Sequence, residues 1–151
     1  MIKYIKGDLL SATDGLIIHG CNTRGAMGSG VAGAIRKKWP QVYEEFKKLN
    51  PSPDLLGYAQ FVMLDNRTDV NVVNCFTQEN FGNDGKIYAD ADAIRESVGW
   101  CFRFAHQFMR NVNSPKIGCG LGGLDWEDDV LPIFEELNML YPDVGITIYE
   151  L

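Results

Sequence analysis

Two stretches of this chain carry glycines at a spacing that suits a negatively charged ligand. The first runs from Gly20 to Gly33 through Asn22, Gly25, Gly28, Ser29, Gly30 and Val31. The second runs from Gly118 to Asp125 through Gly120, Leu121, Gly122, Gly123 and Leu124. Glycine lets the backbone approach a ligand closely, and successive N–H groups ahead of a helix make an anion cradle. Two cradles facing one crevice suit two linked phosphates. Both stretches contain G-x-G-x-x-G, at Gly28, Gly30, Gly33 and at Gly118, Gly120, Gly123. In a dinucleotide fold that spacing follows its strand at once and is answered by an acid near the end of the next strand. Here Cys21 to Met27 intervene, and Asp54 falls instead in the turn NPSPDLLG. No nicotinamide or other cofactor is therefore expected. The phosphate loop GxxxxGK[ST] is absent as well. The plainer reading is that each cluster is only a tight turn.

Four other residues have side chains suited to chemistry. His19 interrupts the apolar run Leu16-Ile17-Ile18, where an imidazole could protonate a leaving oxygen, orient water or attack phosphorus. A lone histidine in a strand also serves as a satisfied core residue. Asn22 has an amide that both donates and accepts, and equally suits a loop. Lys86, in NDGKIY, is a potential nucleophile or a solvated side chain. Asp125 has a convincing structural role as the N-cap of the last helix, with Asp128 three residues on as a weak capping-box echo. Cys21, Cys75, Cys101 and Cys119 show no C-x-x-C spacing, and His19 and His106 are the two histidines, so no metal site is expected.

Strand-like runs occur near Ile2 to Lys6, Gly15 to Cys21, Tyr58 to Leu64, Val70 to Thr77, Pro115 to Cys119 and Gly145 to Leu151. Between them lie helical stripes. Trp39, Val42, Tyr43, Phe46 and Leu49 share a face that Pro40 can start. Ile94, Val98, Cys101, Phe102, Ala105 and Phe108 form a second stripe, bounded by about Asp90 and Arg110, and Val130, Phe134, Leu137 and Tyr141 form a third. Alternating strands and helices imply an α/β fold with helices on both faces of a sheet. The short polar link from Asp65 to Asp69 suggests one antiparallel hairpin, hence a mixed sheet. The 151 residues show no linker or repeat and are expected to form one domain. A net charge of −6 argues against a nucleic-acid surface, and no apolar run is long enough to span a membrane. Free thiols without a secretory signal fit the cytoplasm, and a monomer is expected.

Taken together, KYIKGDLL, IIHGCNTRGAMGSGVAGAIRKKWP, IGCGLGGLDWEDDV and ITIYEL resemble, in order, the macrodomain family, over nearly the whole chain. The resemblance implies a three-layer α/β/α fold with a six-stranded mixed sheet, and ADP-ribose or a derivative as ligand. Asp8 matches the acid that accepts from the adenine amino group, with Leu9 beside it, and Tyr149 matches an aromatic near the adenine. Gly28, Ser29, Gly30 and Val31 match one diphosphate loop; Gly118, Gly120, Leu121, Gly122, Gly123 and Leu124 match the other. Asn22 matches the asparagine at the distal ribose. The chain is most similar to small stand-alone members that hydrolyse ADP-ribose 1″-phosphate, which implies a catalytic His19. In the glycohydrolases that remove ADP-ribose from modified proteins, a lysine acts with an aspartate in the second glycine loop. Lys86 loosely matches the lysine, but Gly122 stands where the aspartate belongs. A third possibility is a non-catalytic ADP-ribose reader.

Overall fold

The computed structural model describes residues 1–64 and 69–150. In chain order its elements are β1 (Ile2–Lys6), β2 (Gly15–Asn22), α1 (Gly30–Lys38), α2 (Pro40–Lys47), β3 (Ala59–Met63) and β4 (Val70–Gln78). There follow α3 (Ala91–Phe108), β5 (Val112–Ser114), α4 (Leu131–Leu140) and β6 (Ile146–Glu150). The strands make one sheet in the order β1-β6-β5-β2-β4-β3. All neighbours run parallel except β3 against β4, so the sheet is mixed, as the hairpin suggested. The polar link itself, at 65–68, lies outside the described residues.

Strand periodicity assigns the two faces. Leu16, Ile18, Val73 and Cys75 pack toward α3 and α4 with Phe102 and Phe134. Ile17, Val70 and Val72 point the other way, onto Ile35 of α1 and Val42 of α2. Leu16, Ile17 and Ile18 have no exposed surface at all. Burying such a side chain contributes about 1.5–3 kcal/mol, so this run anchors β2 at the sheet centre. The chain leaves β2 over one face, through α1 and α2, to reach β3 and β4. It then returns over the other face, through α3, to β5 on the opposite side of β2. That reversal at the C-terminal ends of parallel strands is where open α/β sheets form ligand crevices.

Three sequence expectations shift. The fifth strand, expected at 115–119, lies at Val112–Ser114, where Val112 and Asn113 register with Leu16 and Ile17 on one side and Ile146 and Thr147 on the other. Pro115 has no N–H for a ladder between two strands, so the sheet ends before it. The apolar run beyond it turns instead: Cys119 N–H donates to Lys116 O, and Gly118 adopts φ +78°. Phe108 leaves the buried stripe of α3, being 54% exposed, and its ring packs at a tilt against Phe104. Finally, α4 is preceded by a π-type turn, Trp126–Val130. Asp125 caps it by accepting from Asp128 N–H at 2.8 Å. The reciprocal acid is Asp129, not Asp128; its Oδ2 accepts from Asp125 N–H. The extra residue of a π-type turn moves the return partner one position along.

Candidate functional site

A crevice of about 420 Å³ opens at the C-terminal ends of β2, β4 and β5. That is within the range of small-molecule sites. Both glycine loops line it: Gly28, Ser29, Gly30 and Val31 from one side, Gly118, Gly120, Leu121 and Gly122 from the other. Lys116 is the charged residue of its wall, and that ammonium already pairs with Glu150 at 3.0 Å. An anion there must be held mainly by backbone dipoles.

Both loops have them to spare. Helix α1 has no side-chain cap at Ser29, and the N–H groups of its first residues have no intrahelical acceptor. Gly33 must stay small, because a Cβ there would lie 3.0 Å from Gly28 O; this close approach seats α1 on its loop. In the second loop, Cys119, Gly123 and Leu124 spend their N–H groups on Lys116, Gly120 and Gly118 carbonyls. The N–H groups of Gly120, Leu121 and Gly122 make no backbone bond among the described residues. Helix α4 contributes none, since Asp125 and Asp129 occupy the π-type turn ahead of it. The second cradle is a loop, and the expectation of a helix start there does not hold.

Gly120 and Gly122 differ sharply. A Cβ on Gly120 would have nothing within 4 Å, so the crevice itself lies beyond it. One on Gly122 would meet Gly118 O at 2.6 Å and Ala89 Cβ at 2.9 Å. The Gly122 carbonyl also accepts from Tyr88 and Ala89 N–H, fixing the loop to the segment before α3. An aspartate has no room at this position.

Asn22 lines the crevice near the bulge that ends β2. Its Oδ1 accepts from Arg24 and Ala26 N–H at 3.1 Å, and its Nδ2 donates to Ala26 O at 2.8 Å. Both lone pairs are used, so one N–H is left for a ligand.

His19 does not reach the crevice. Its ring has no exposed surface, and its Nε2 lies 2.5 Å from Asn74 Oδ1. Asn74 Nδ2 in turn donates to Gln60 Oε1, and Gln60 Nε2 to Glu45 O of α2. Asn74 Oδ1 is thus the acceptor, which makes His19 the Nε2–H tautomer. The three residues are register partners across β2, β4 and β3, forming one polar ladder. Burial lowers the His19 pKa to about 4, the Asn74 bond opposing only part of it. The imidazole is neutral and enclosed, and it is not among the residues that line the crevice.

Lys86 also stands outside the crevice, in an adjoining depression of about 730 Å³ that shares Phe81 with it. Its exposed ammonium lies 3.9 Å from Asp84. At the other end, Asp8 Oδ1 accepts from Leu10 N–H at 2.9 Å, capping a short turn, while Oδ2 makes no hydrogen bond among the described residues. Leu9, Val31 and Tyr149 pack in one apolar cluster, which joins the end of β6 to the first loop. Gly123 and Leu124 shape the second loop without lining the crevice.

Cys21 lines the crevice, but burial raises its thiol pKa, and Cys119 is pushed up to about 11; neither is a ready thiolate. Among the described residues no three His, Cys, Asp or Glu side chains gather as a metal requires, and no helix is long and apolar enough to cross a membrane. Sequence reasoning missed six lining residues outside the glycine loops: Thr77, Gln78, Phe81, Pro115, Lys116 and Ile117. Thr77 and Gln78 could have been found from their place at the C-terminal end of β4, beside the end of β2.

Comparison with known proteins places this geometry. A model described as "Macro domain" matches residues 18–133. An ADP-ribose 1″-phosphate phosphatase of Candida albicans is 28% identical, the match covering 91% of this chain and 96% of that protein. A DNA ADP-ribosyl glycohydrolase of Mycobacterium bovis is 29% identical over 99% of this chain, but the match spans only 42% of that longer protein. A crystal structure of a protein from Bacteroides thetaiotaomicron superposes with a TM-score of 0.86, at 29% identity, over the full length of both chains. The chain belongs to the macrodomain family.

Proposed function

We propose that this macrodomain binds ADP-ribose in the glycine crevice and hydrolyses ADP-ribose 1″-phosphate to ADP-ribose and phosphate. The observation that carries the binding reading is the pair of facing loops, each with N–H groups that have no acceptor among the described residues. Six such groups, from Gly30, Val31, Ala32, Gly120, Leu121 and Gly122, can hold a diphosphate without a lysine. The free N–H of Asn22 suits a distal-ribose hydroxyl. Asp8 and Tyr149 suit the adenine end, beyond Val31. The phosphatase reading is supported by the relative from Candida albicans, which matches along nearly its whole length. Water attacks the terminal phosphorus, the P–O bond to the distal ribose breaks, and the ribose oxygen leaves as a hydroxyl with one of the water's protons; amides aimed at the developing negative charge stabilise the transition state. His19 serves as a positioning residue, holding the end of β2 through its ladder to β4 and β3.

Titration with ADP-ribose, together with phosphate release from ADP-ribose 1″-phosphate, tests this. Tight binding with turnover supports it. Tight binding without turnover leaves a reader of ADP-ribose, and no binding sinks the crevice reading. His19→Gln keeps a donor toward Asn74 and is expected to retain turnover. Loss of turnover in a folded His19→Gln protein would restore a direct role for the imidazole.

A second reading is favoured by the placement of Lys86 in the depression that adjoins the crevice at Phe81. There it could act on ADP-ribose linked to a macromolecule. The crowding at Gly122 counts against it, because the partner aspartate has no place in the second loop.

A further inference from the structure

Thr77 ends β4 on the floor of the crevice with its side chain wholly buried. Its Oγ1 has no hydrogen-bond partner, and it is the one buried side-chain nitrogen or oxygen in that condition among the described residues. Folded proteins rarely leave such a group unpaired, and the exceptions mark places where a water, ion or ligand belongs.

No side chain among the described residues satisfies it. Asn74 is committed to His19 and Gln60, and Asn22 spends its oxygen and one N–H within its own loop. The Thr77 carbonyl is itself used, accepting from Asp90 N–H at 2.8 Å. The hydroxyl faces Gly20, another residue of the crevice wall, where a Cβ would stand 2.8 Å from Oγ1 and 3.5 Å from Ile117. Any other residue at position 20 would close that approach. Position along the ligand follows from the strand order. Asp8 and Tyr149 mark the adenine end at β1 and β6, the glycine loops hold the middle, and β4 lies across β2 from both. A hydroxyl both donates and accepts, which matches a sugar hydroxyl.

We infer that the Thr77 hydroxyl is a binding contact for the distal ribose, pairing with one of its hydroxyls. This rests on the reading that ADP-ribose fills the crevice. The test is calorimetric titration of wild type, Thr77→Val and Thr77→Ser with ADP-ribose and with ADP, which lacks the distal ribose, alongside thermal melts. Thr77→Val preserves shape and removes the hydroxyl. It is expected to weaken ADP-ribose about fivefold to tenfold, the worth of one neutral hydrogen bond, and to leave ADP unchanged. Its melting temperature should equal or exceed that of wild type, since an unpaired buried hydroxyl is removed. Thr77→Ser should bind like wild type. Unchanged ADP-ribose affinity in Thr77→Val, beside tight wild-type binding, would overturn this inference alone. So would an equal loss for both ligands, or a lowered melting temperature, which would reveal a partner inside the fold. Wild type binding neither ligand would overturn the crevice reading and this inference with it.

Discussion

Gly120 and Gly122 sit two residues apart, yet substitution should affect one through the ligand and the other through the fold. At Gly120 a side chain enters empty space, so Gly120→Val meets no protein atom at its Cβ within 4 Å. Losing a glycine also restricts the unfolded chain, which stabilises by about 0.4–1 kcal/mol where the backbone allows it. The same side chain stands where a phosphate must approach the N–H groups of the second loop. Displacing that phosphate forfeits one charge-assisted hydrogen bond, about 1.5–3 kcal/mol, or roughly 10- to 150-fold in Kd. Gly122→Ala should behave in the opposite way. Its methyl would stand 2.6 Å from Gly118 O and 2.9 Å from Ala89 Cβ, and relieving such overpacking costs about 1–3 kcal/mol. For a domain of this size that lowers the melting temperature by roughly 2–12 °C. Thermal melts and ADP-ribose titration of both variants provide the comparison. Gly120→Val binding as tightly as wild type would refute the backbone cradle, and Gly122→Ala melting unchanged would refute the packing argument.

The folded-state pKa of His19, about 4, lies below its ordinary 6.5, so the unfolded chain takes up a proton that the native state refuses. Stability from this site is present above about pH 6.5 and falls as pH drops toward 4, by about 3 kcal/mol at pH 4. Urea unfolding at pH 7 and pH 4 should show a smaller fall for His19→Gln than for wild type. Asp125→Ala removes the cap of the π-type turn and should cost about 1 kcal/mol in denaturant unfolding. A lost activity with unchanged stability would instead assign Asp125 to the chemistry. Lys86→Ala removes an exposed side chain and should keep turnover of ADP-ribose 1″-phosphate within about twofold. A large loss in that phosphate-release assay would bring Lys86 into the reaction.

The features legible from sequence were those set by local backbone chemistry. Glycine spacing located both loops, and the apolar run at Leu16 to Ile18 located the strand that delivers the first of them. Periodicity placed α3 and its cap at Asp90, whose Oδ1 accepts from Ala93 N–H. What escaped was set by register between distant segments. His19 reads as an active group in a strand because its partners, Asn74 and Gln60, are brought alongside only by strand pairing. Thr77 reads as an ordinary strand residue until Gly20 is placed against it. The run beyond Pro115 looks extended because its apolar residues are buried, but they are buried under a loop. The crowding at Gly122 depends on Ala89, more than thirty residues earlier.

The unequal helix ends behind the two loops give the crevice a polarity. α1 presents uncapped N–H groups, and with them the positive end of its dipole, to one side of the ligand. Across the gap, the carboxylates of Asp125 and Asp129 neutralise the other helix end before any ligand arrives. A symmetric diphosphate therefore enters an asymmetric field, stronger beside Val31 than beside Leu121. A diphosphate held as proposed would thus meet two unlike walls, one an open helix end and the other a loop backed by carboxylates.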